Sequence, residues 1–80
     1  MIMATIKELG VQVSWNGDWI EVRYEQGAEP LEWSRDAELR VMRALGLRPA
    51  AWRLGAGRLV RASDGSLTEI VDLRPAGGDE

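Results

Sequence analysis

The chain is expected to fold as an α+β domain: an antiparallel sheet of two hairpins (ββαββ) with one main helix packed on one face, and room for an extra short helix. Three observations predict this. An Asn16-Gly17 pair interrupts an alternating apolar/polar run from Leu9 to Tyr24. A second alternating run, Arg58 to Leu73, is broken at Asp64-Gly65. Between them, Ser34 to Leu45 carries apolar residues at helical spacing, with a start signal and a stop signal.

Taken in order, Thr5-Ile6-Lys7-Glu8 has the spacing of a capping box. It reads as one helical turn or as a backward extension of the first strand, and both readings stand. A two-residue Asn16-Gly17 loop favours a type I′ turn, because both positions need φ > 0. That turn sets Trp15 opposite Asp18, Val13 opposite Ile20, Val11 opposite Val22 and Leu9 opposite Tyr24. The apolar pairs then share one face, and Ser14 with Trp19, Gln12 with Glu21, and Gly10 with Arg23 share the other. Gln26 to Pro30 reads as a loop.

Ser34 is a good N-cap, and Asp36 and Glu38 stand in the first turn, where the helix dipole favours anions. At 100° per residue, Leu39, Val41, Met42 and Leu45 gather on one side, opposite Asp36, Arg40 and Arg43. Gly46 suits the left-handed C′ position, Leu47 packs back on Met42, and Pro49 forbids continuation. Pro49 to Gly57 reads as a short helical turn or a short strand carrying Trp52.

Two registers compete in the second hairpin. A two-residue Asp64-Gly65 loop pairs Ser63 with Ser66 but sets Val60 against Glu69. A slip of one residue pairs Leu59 with Val71, Val60 with Ile70, Arg58 with Asp72 and Arg61 with Glu69, and is preferred on its side-chain pairs. The domain is expected to span residues 1–74, followed by a mobile tail over 75–80.

With 80 residues there is material for one core. Scaling surface with mass predicts that roughly 63% of the extended chain's surface is buried, so a homodimer covering leftover apolar surface competes with a monomer. The absence of cysteine and histidine excludes disulfides, thiol or imidazole nucleophile chemistry and thiolate or imidazole metal ligation. Neither a signal peptide nor a membrane-spanning run of 18 apolar residues is visible, so a cytoplasmic protein without a membrane partner is expected. The net charge of −3 hides a division: residues 1–33 sum to −4, residues 34–61 to +5 and residues 62–80 to −4.

Trp15 and Trp33 read as core, and Trp33 precedes the N-cap, where an apolar residue staples a helix start. Trp52 reads equally well as packed or exposed. Trp19 differs, because the register places it among polar neighbours, and tryptophan and arginine are enriched in interface hot spots. Trp19 and Arg23 are therefore the candidate anchors for a protein partner, with Glu21, Glu25, Glu29 and Glu32 steering it. The covered alternative for Trp19 is burial under the chain's own terminus.

Seven arginines between Arg35 and Arg61 raise the alternative of a small nucleic-acid-associated or regulatory domain. Against direct nucleic-acid binding stand a pI of about 4.9, the Asp36–Arg40 helix pair and the acids expected opposite Arg58 and Arg61. Gly55-Ala56-Gly57-Arg58 matches no phosphate-binding loop, and no acidic spacing matches a calcium loop. Carboxylate pairs such as Glu21 with Glu25 are expected to be solvated, as is every other acid. No cofactor, no metal and no enzymatic activity are expected.

An acidic, cysteine-free α+β chain with hairpin Val11–Tyr24 and helix Ser34–Leu45 resembles the small phage-encoded anti-CRISPR proteins. Among these it suggests the inhibitors of type I effector complexes, with type I-C in view. The resemblance lies in general character and not in a motif, so it transfers no functional residue. It implies a non-catalytic inhibitor, made in the bacterial host during phage infection, that binds a subunit of the crRNA-guided surveillance complex and blocks target-DNA binding or nuclease recruitment.

Overall fold

The computed structural model describes residues 2–77. Five strands and one main helix follow in the order β1 (Ile2–Ile6), β2 (Val11–Trp15), β3 (Trp19–Tyr24), α1 (Arg35–Ala44), β4 (Trp52–Arg61) and β5 (Leu67–Pro75). The strands form one antiparallel sheet, ordered β1-β2-β3-β5-β4. The α+β class with a helix on one sheet face is as expected, but the sheet has a fifth strand. Ile2, Ala4 and Ile6 alternate and pair with Trp15, Val13 and Val11. Thr5-Ile6-Lys7-Glu8 is therefore no continuation of β2, and its helical-turn reading holds for its second half alone. It splits into the end of β1 and a 3₁₀ turn over Lys7–Leu9, closed by Gly10 at φ 66.

The first hairpin joins the expected faces in a different register. Trp15 opposes Ile20, Val13 opposes Val22 and Val11 opposes Tyr24. Every partner has moved by two residues, which leaves each side chain on its expected face. The cause is the turn. Asn16 N–H donates to the Trp19 carbonyl at 3.1 Å, so Gly17-Asp18 forms the two-residue loop. Gly17, at φ 77, then fills the first loop position, which a type II′ turn reserves for glycine. Leu9 lies in the 3₁₀ turn and has no place opposite Tyr24.

The second hairpin adopts neither expected register. Gly57 opposes Val71, Arg58 opposes Ile70, Leu59 opposes Glu69, Val60 opposes Thr68 and Arg61 opposes Leu67. The acids expected opposite Arg58 and Arg61 are therefore elsewhere. Ala62 N–H donates to the Ser66 carbonyl at 2.9 Å, and Gly65 N–H to the Ala62 carbonyl at 3.0 Å. These bonds close a three-residue loop, Ser63-Asp64-Gly65, with Gly65 left-handed at φ 90. Of the two readings of Pro49 to Gly57, the strand carrying Trp52 holds: it is continuous with β4, which starts at Trp52, and an irregularity between Leu54 and Gly57 resets its pairing.

The helix obeys its end signals. Ser34 Oγ accepts from Ala37 N–H at 3.2 Å. At the other end Leu47 N–H reaches the Met42 carbonyl at 2.8 Å and Gly46 N–H the Arg43 carbonyl at 3.1 Å, a Schellman closure with Gly46 at φ 76. Val41, Met42 and Leu45 are fully buried against Val11, Val13, Ile20, Val22 and Val71. Leu39, expected on the same face, lies at the edge of this core. Trp15, Trp33 and Trp52 pack on its rim, and Trp15 and Trp52 meet edge to face with centroids 6.4 Å apart. Pro75, assigned to the tail, ends β5, and Ala76 N–H holds the Ala51 carbonyl at 2.8 Å. The remainder of the expected tail, residues 78–80, lies outside the described residues.

Candidate functional site

Because α1 lies on one face of the sheet, no element among the described residues packs on the other. Strand pairing sets the composition of that open face row by row. Met3, Ser14, Glu21, Ile70 and Arg58 form one row across all five strands, and Thr5, Gln12, Arg23, Thr68 and Val60 form the next. Trp19 pairs with Asp72 in a third row, beside Glu21. Trp19 is 38% exposed, enough to offer much of its indole to a partner. The face thus combines an aromatic, a methionine and two aliphatic residues with charges of both signs, a mixture that suits a protein interface.

The six residues expected to contact a partner divide among three places. Trp19, Glu21 and Arg23 stand together on the open face. Glu25 and Glu29 line a cleft of about 400 Å³ between the 25–30 loop and the tip of the β4–β5 hairpin, where Arg61, Asp64 and Leu67 form the opposite wall. Glu32 is exposed on the segment leading into α1 and joins neither group. Glu21 and Glu25 are thus separated between face and cleft. Met3, Ile70, Arg58 and Val60 were not anticipated on the face, although the same alternation that placed Trp19 reaches each of them once five strands are paired.

Two carboxylates contradict the expectation that every acid is solvated. Glu38 on α1 is buried, and its Oε2 accepts from Leu54 N–H at 2.7 Å and from Arg53 Nε at 3.0 Å. Its Oε1 accepts from Arg35 at 2.7 Å. Burial by itself would raise its pKa; the Leu54 N–H and the two guanidinium groups outweigh it and bring the value down to about 2. Since β4 is an edge strand, this carboxylate satisfies an N–H that would otherwise face outward from the sheet. Three of the seven arginines of the basic segment are thereby committed to acids, counting the exposed Arg40–Asp36 pair at 2.9 Å.

Glu69 is the second. It is buried, and its Oε1 accepts from Tyr24 Oη at 2.7 Å, while that hydroxyl accepts from Leu31 N–H at 2.9 Å. Burial raises the Tyr24 phenol far above its ordinary pKa, opposed by the Leu31 N–H and reinforced by the Glu69 carboxylate. The Glu69 side chain lies over Gly57, so closely that a Cβ there would collide with Oε2 and stand 3.0 Å from Cδ. Any side chain at Gly57 would push the Glu69 carboxylate out of this place, so packing accounts for the glycine without a phosphate-binding nest. A glycine within a strand run is the signal that betrays such a close approach.

Among the described residues, no group of three or more Asp or Glu is placed to hold a metal ion, and Trp33 Nε1 is the buried side-chain donor left without a partner. No helix of the described residues is long and apolar enough to cross a membrane. Comparison with family models, with curated proteins and with solved structures finds no match for the chain.

Proposed function

We propose that the protein is a non-catalytic binding module whose open sheet face blocks a protein partner. The observation that carries this reading is the uncovered face itself, with Trp19 exposed beside Glu21 and Asp72 and with Arg23 one row beyond Glu21. Such a surface pairs a desolvatable aromatic with charges that orient the approach. The resemblance to anti-CRISPR inhibitors supplies the partner: a subunit of a type I surveillance complex, held so that it fails to bind target DNA or to recruit its nuclease. The acidic residues Glu21, Glu25, Glu29 and Glu32 then steer the module toward the basic surfaces of such a complex.

The nucleic-acid reading is weakened by the arginines that carboxylates already hold, Arg35, Arg40 and Arg53. A pull-down of the tagged protein from a lysate expressing a type I complex, divided into nuclease-treated and untreated halves, separates the two. Effector subunits retained in both halves, and lost with Trp19→Ala, are expected. Retention of nucleic acid alone, abolished by nuclease, would overturn the reading in favour of the arginine segment. Charge reversal at Glu21 and Glu25 that left binding and its salt dependence unchanged would remove those residues from the steering role.

A further inference from the structure

We infer that the open edge of β4 pairs with β4 of a second copy of this chain, antiparallel about Leu59, so that Arg61 of each protomer reaches the Glu69 carboxylate of the other across Gly57. The inference is independent of which partner the open face engages.

The edge is defined by hydrogen bonding. Ala62 turns its N–H and C=O toward β5, donating to Ser66 and accepting from Gly65. Backbone groups alternate in direction along an antiparallel strand. Arg61, Leu59 and Gly57 therefore point their N–H and C=O groups away from β5, along the free edge. Further along, Glu38 occupies the outward Leu54 N–H and Arg53 folds over it. The available edge is consequently confined to the distal half of β4, where Leu59 and Val60 are both 48% exposed.

Charge selects the occupant and the register. Glu69 Oε1 is held by Tyr24, whereas Oε2 lies over Gly57, the one position in this stretch where no side chain stands between it and the edge. The carboxylate thus faces the edge through a gap and calls for a cation arriving from the neighbouring strand. A two-fold pairing centred on Leu59 puts Gly57 opposite the partner's Arg61, on the same sheet face as Glu69. In its own chain Arg61 makes only a 3.4 Å contact to the Gly65 carbonyl, so its guanidinium is free to move there. The same pairing sets Arg58 opposite the partner's Val60 and keeps all arginines from facing one another. A two-fold perpendicular to the sheet leaves both helices on one side and joins the two open faces into a continuous surface with a Trp19 in each half.

Sedimentation over a concentration series, combined with single cysteines in a chain that has none of its own, tests this. A reversible dimer is expected, with Leu59→Cys cross-linking readily on mild oxidation and Val60→Cys poorly. Because the two-fold axis duplicates the contact, Arg61→Ala removes two charge-assisted bonds and is expected to weaken dimerisation about 100- to 10,000-fold, and Arg58→Ala much less. Leu59→Pro removes an N–H that the hairpin does not use, so the circular dichroism spectrum should persist while the dimer is lost. Efficient cross-linking through Val60→Cys instead would overturn the register and with it the Arg61–Glu69 contact. A monomer at every concentration, with neither cysteine cross-linking, would overturn the pairing. A monomer whose capture of the type I complex is abolished by Leu59→Pro would assign the edge to a strand of another protein.

Discussion

The β2–β3 hairpin and the distal half of the β4–β5 hairpin share one sequence pattern and meet opposite environments. Val11, Val13, Ile20 and Val22 are sealed under α1, whereas Leu59, on the same sheet face, remains half exposed on its strand. The difference lies in reach. The backbone of α1 approaches β1 most closely, at the edge of the sheet opposite β4, so the tip of β4 lies beyond its cover. Alternation therefore tells which side chains share a face, and the position of the helix decides whether that face becomes a core. Where the helix ends, buried carboxylates take over: Glu38 clasps β4 to α1, and Glu69 ties β5 to Tyr24 of β3.

The largest expected effect lies in the sealed half. Ile20→Ala should cost about 2–5 kcal/mol, because the cavity is walled by helix and sheet and cannot collapse. In a domain of this size the melting temperature should fall by more than about 10 °C, measurable by calorimetry. A loss below about 1 kcal/mol would mean that the helix does not seal this region.

Next comes the clasp. Glu38→Gln should cost about 1–3 kcal/mol, since Leu54 N–H keeps a weaker acceptor while Arg35 and Arg53, each roughly half exposed, return to water. The pH dependence sharpens this. Glu38 has its pKa lowered from 4.5 to about 2 on folding, so its contribution is fully present above 4.5 and is lost as pH falls toward 2. In that window the unfolded chain binds more protons, so stability rises with pH. Urea titrations between those limits should show a slope that Glu38→Gln flattens; an unchanged slope would assign the acid sensitivity to other carboxylates.

Tyr24 links the two regions and is the chain's single tyrosine, so phenolate absorbance reports it alone. In the folded protein its pKa lies above the ordinary 10.0, so the stability it contributes holds below pH 10 and declines above it. Ionisation is expected only well beyond that pH or together with unfolding. A reversible folded-state transition near 10 would show that the Tyr24 hydroxyl is not buried in solution. The smallest effect belongs to the exposed strand: Leu59→Ser should change monomer stability by less than about 0.5 kcal/mol in dilute solution. A core-sized loss there would erase the contrast between the hairpins.

Much of this architecture is legible in the residues, and the misses have a common cause. Ser34, Gly46 and Pro49 delimit α1 because capping is local chemistry. The faces of Val11, Val13, Ile20 and Val22 are legible because alternation is local too. Register is not. Moving Gly17 from the second loop position to the first shifts every partner by two residues without moving a side chain to the other face. Nothing in the pattern penalises either choice. The same applies around Gly65, where a three-residue loop displaces the pairing preferred on side-chain grounds. The burial of Glu38 and Glu69 was hidden for another reason: each is stabilised by groups distant in sequence, Leu54 N–H and Tyr24 Oη, that only the folded sheet brings within reach. On the candidate face, Trp19, Glu21 and Arg23 were legible as sharing one side of a strand, while the contributions of Met3, Ile70 and Val60 required knowing which strands adjoin.

The Trp15–Trp52 pair gives this small domain an optical gauge of its own completion. The two indoles belong to β2 and β4, strands that do not neighbour each other in the sheet, and their planes meet at 62°. Transition dipoles held at that angle and distance couple, so the aromatic circular dichroism should carry a split signal that neither hairpin produces alone. A chain with both hairpins formed but the sheet still unassembled would have its secondary structure and lack this couplet, allowing the final docking of the second hairpin to be timed without any added label.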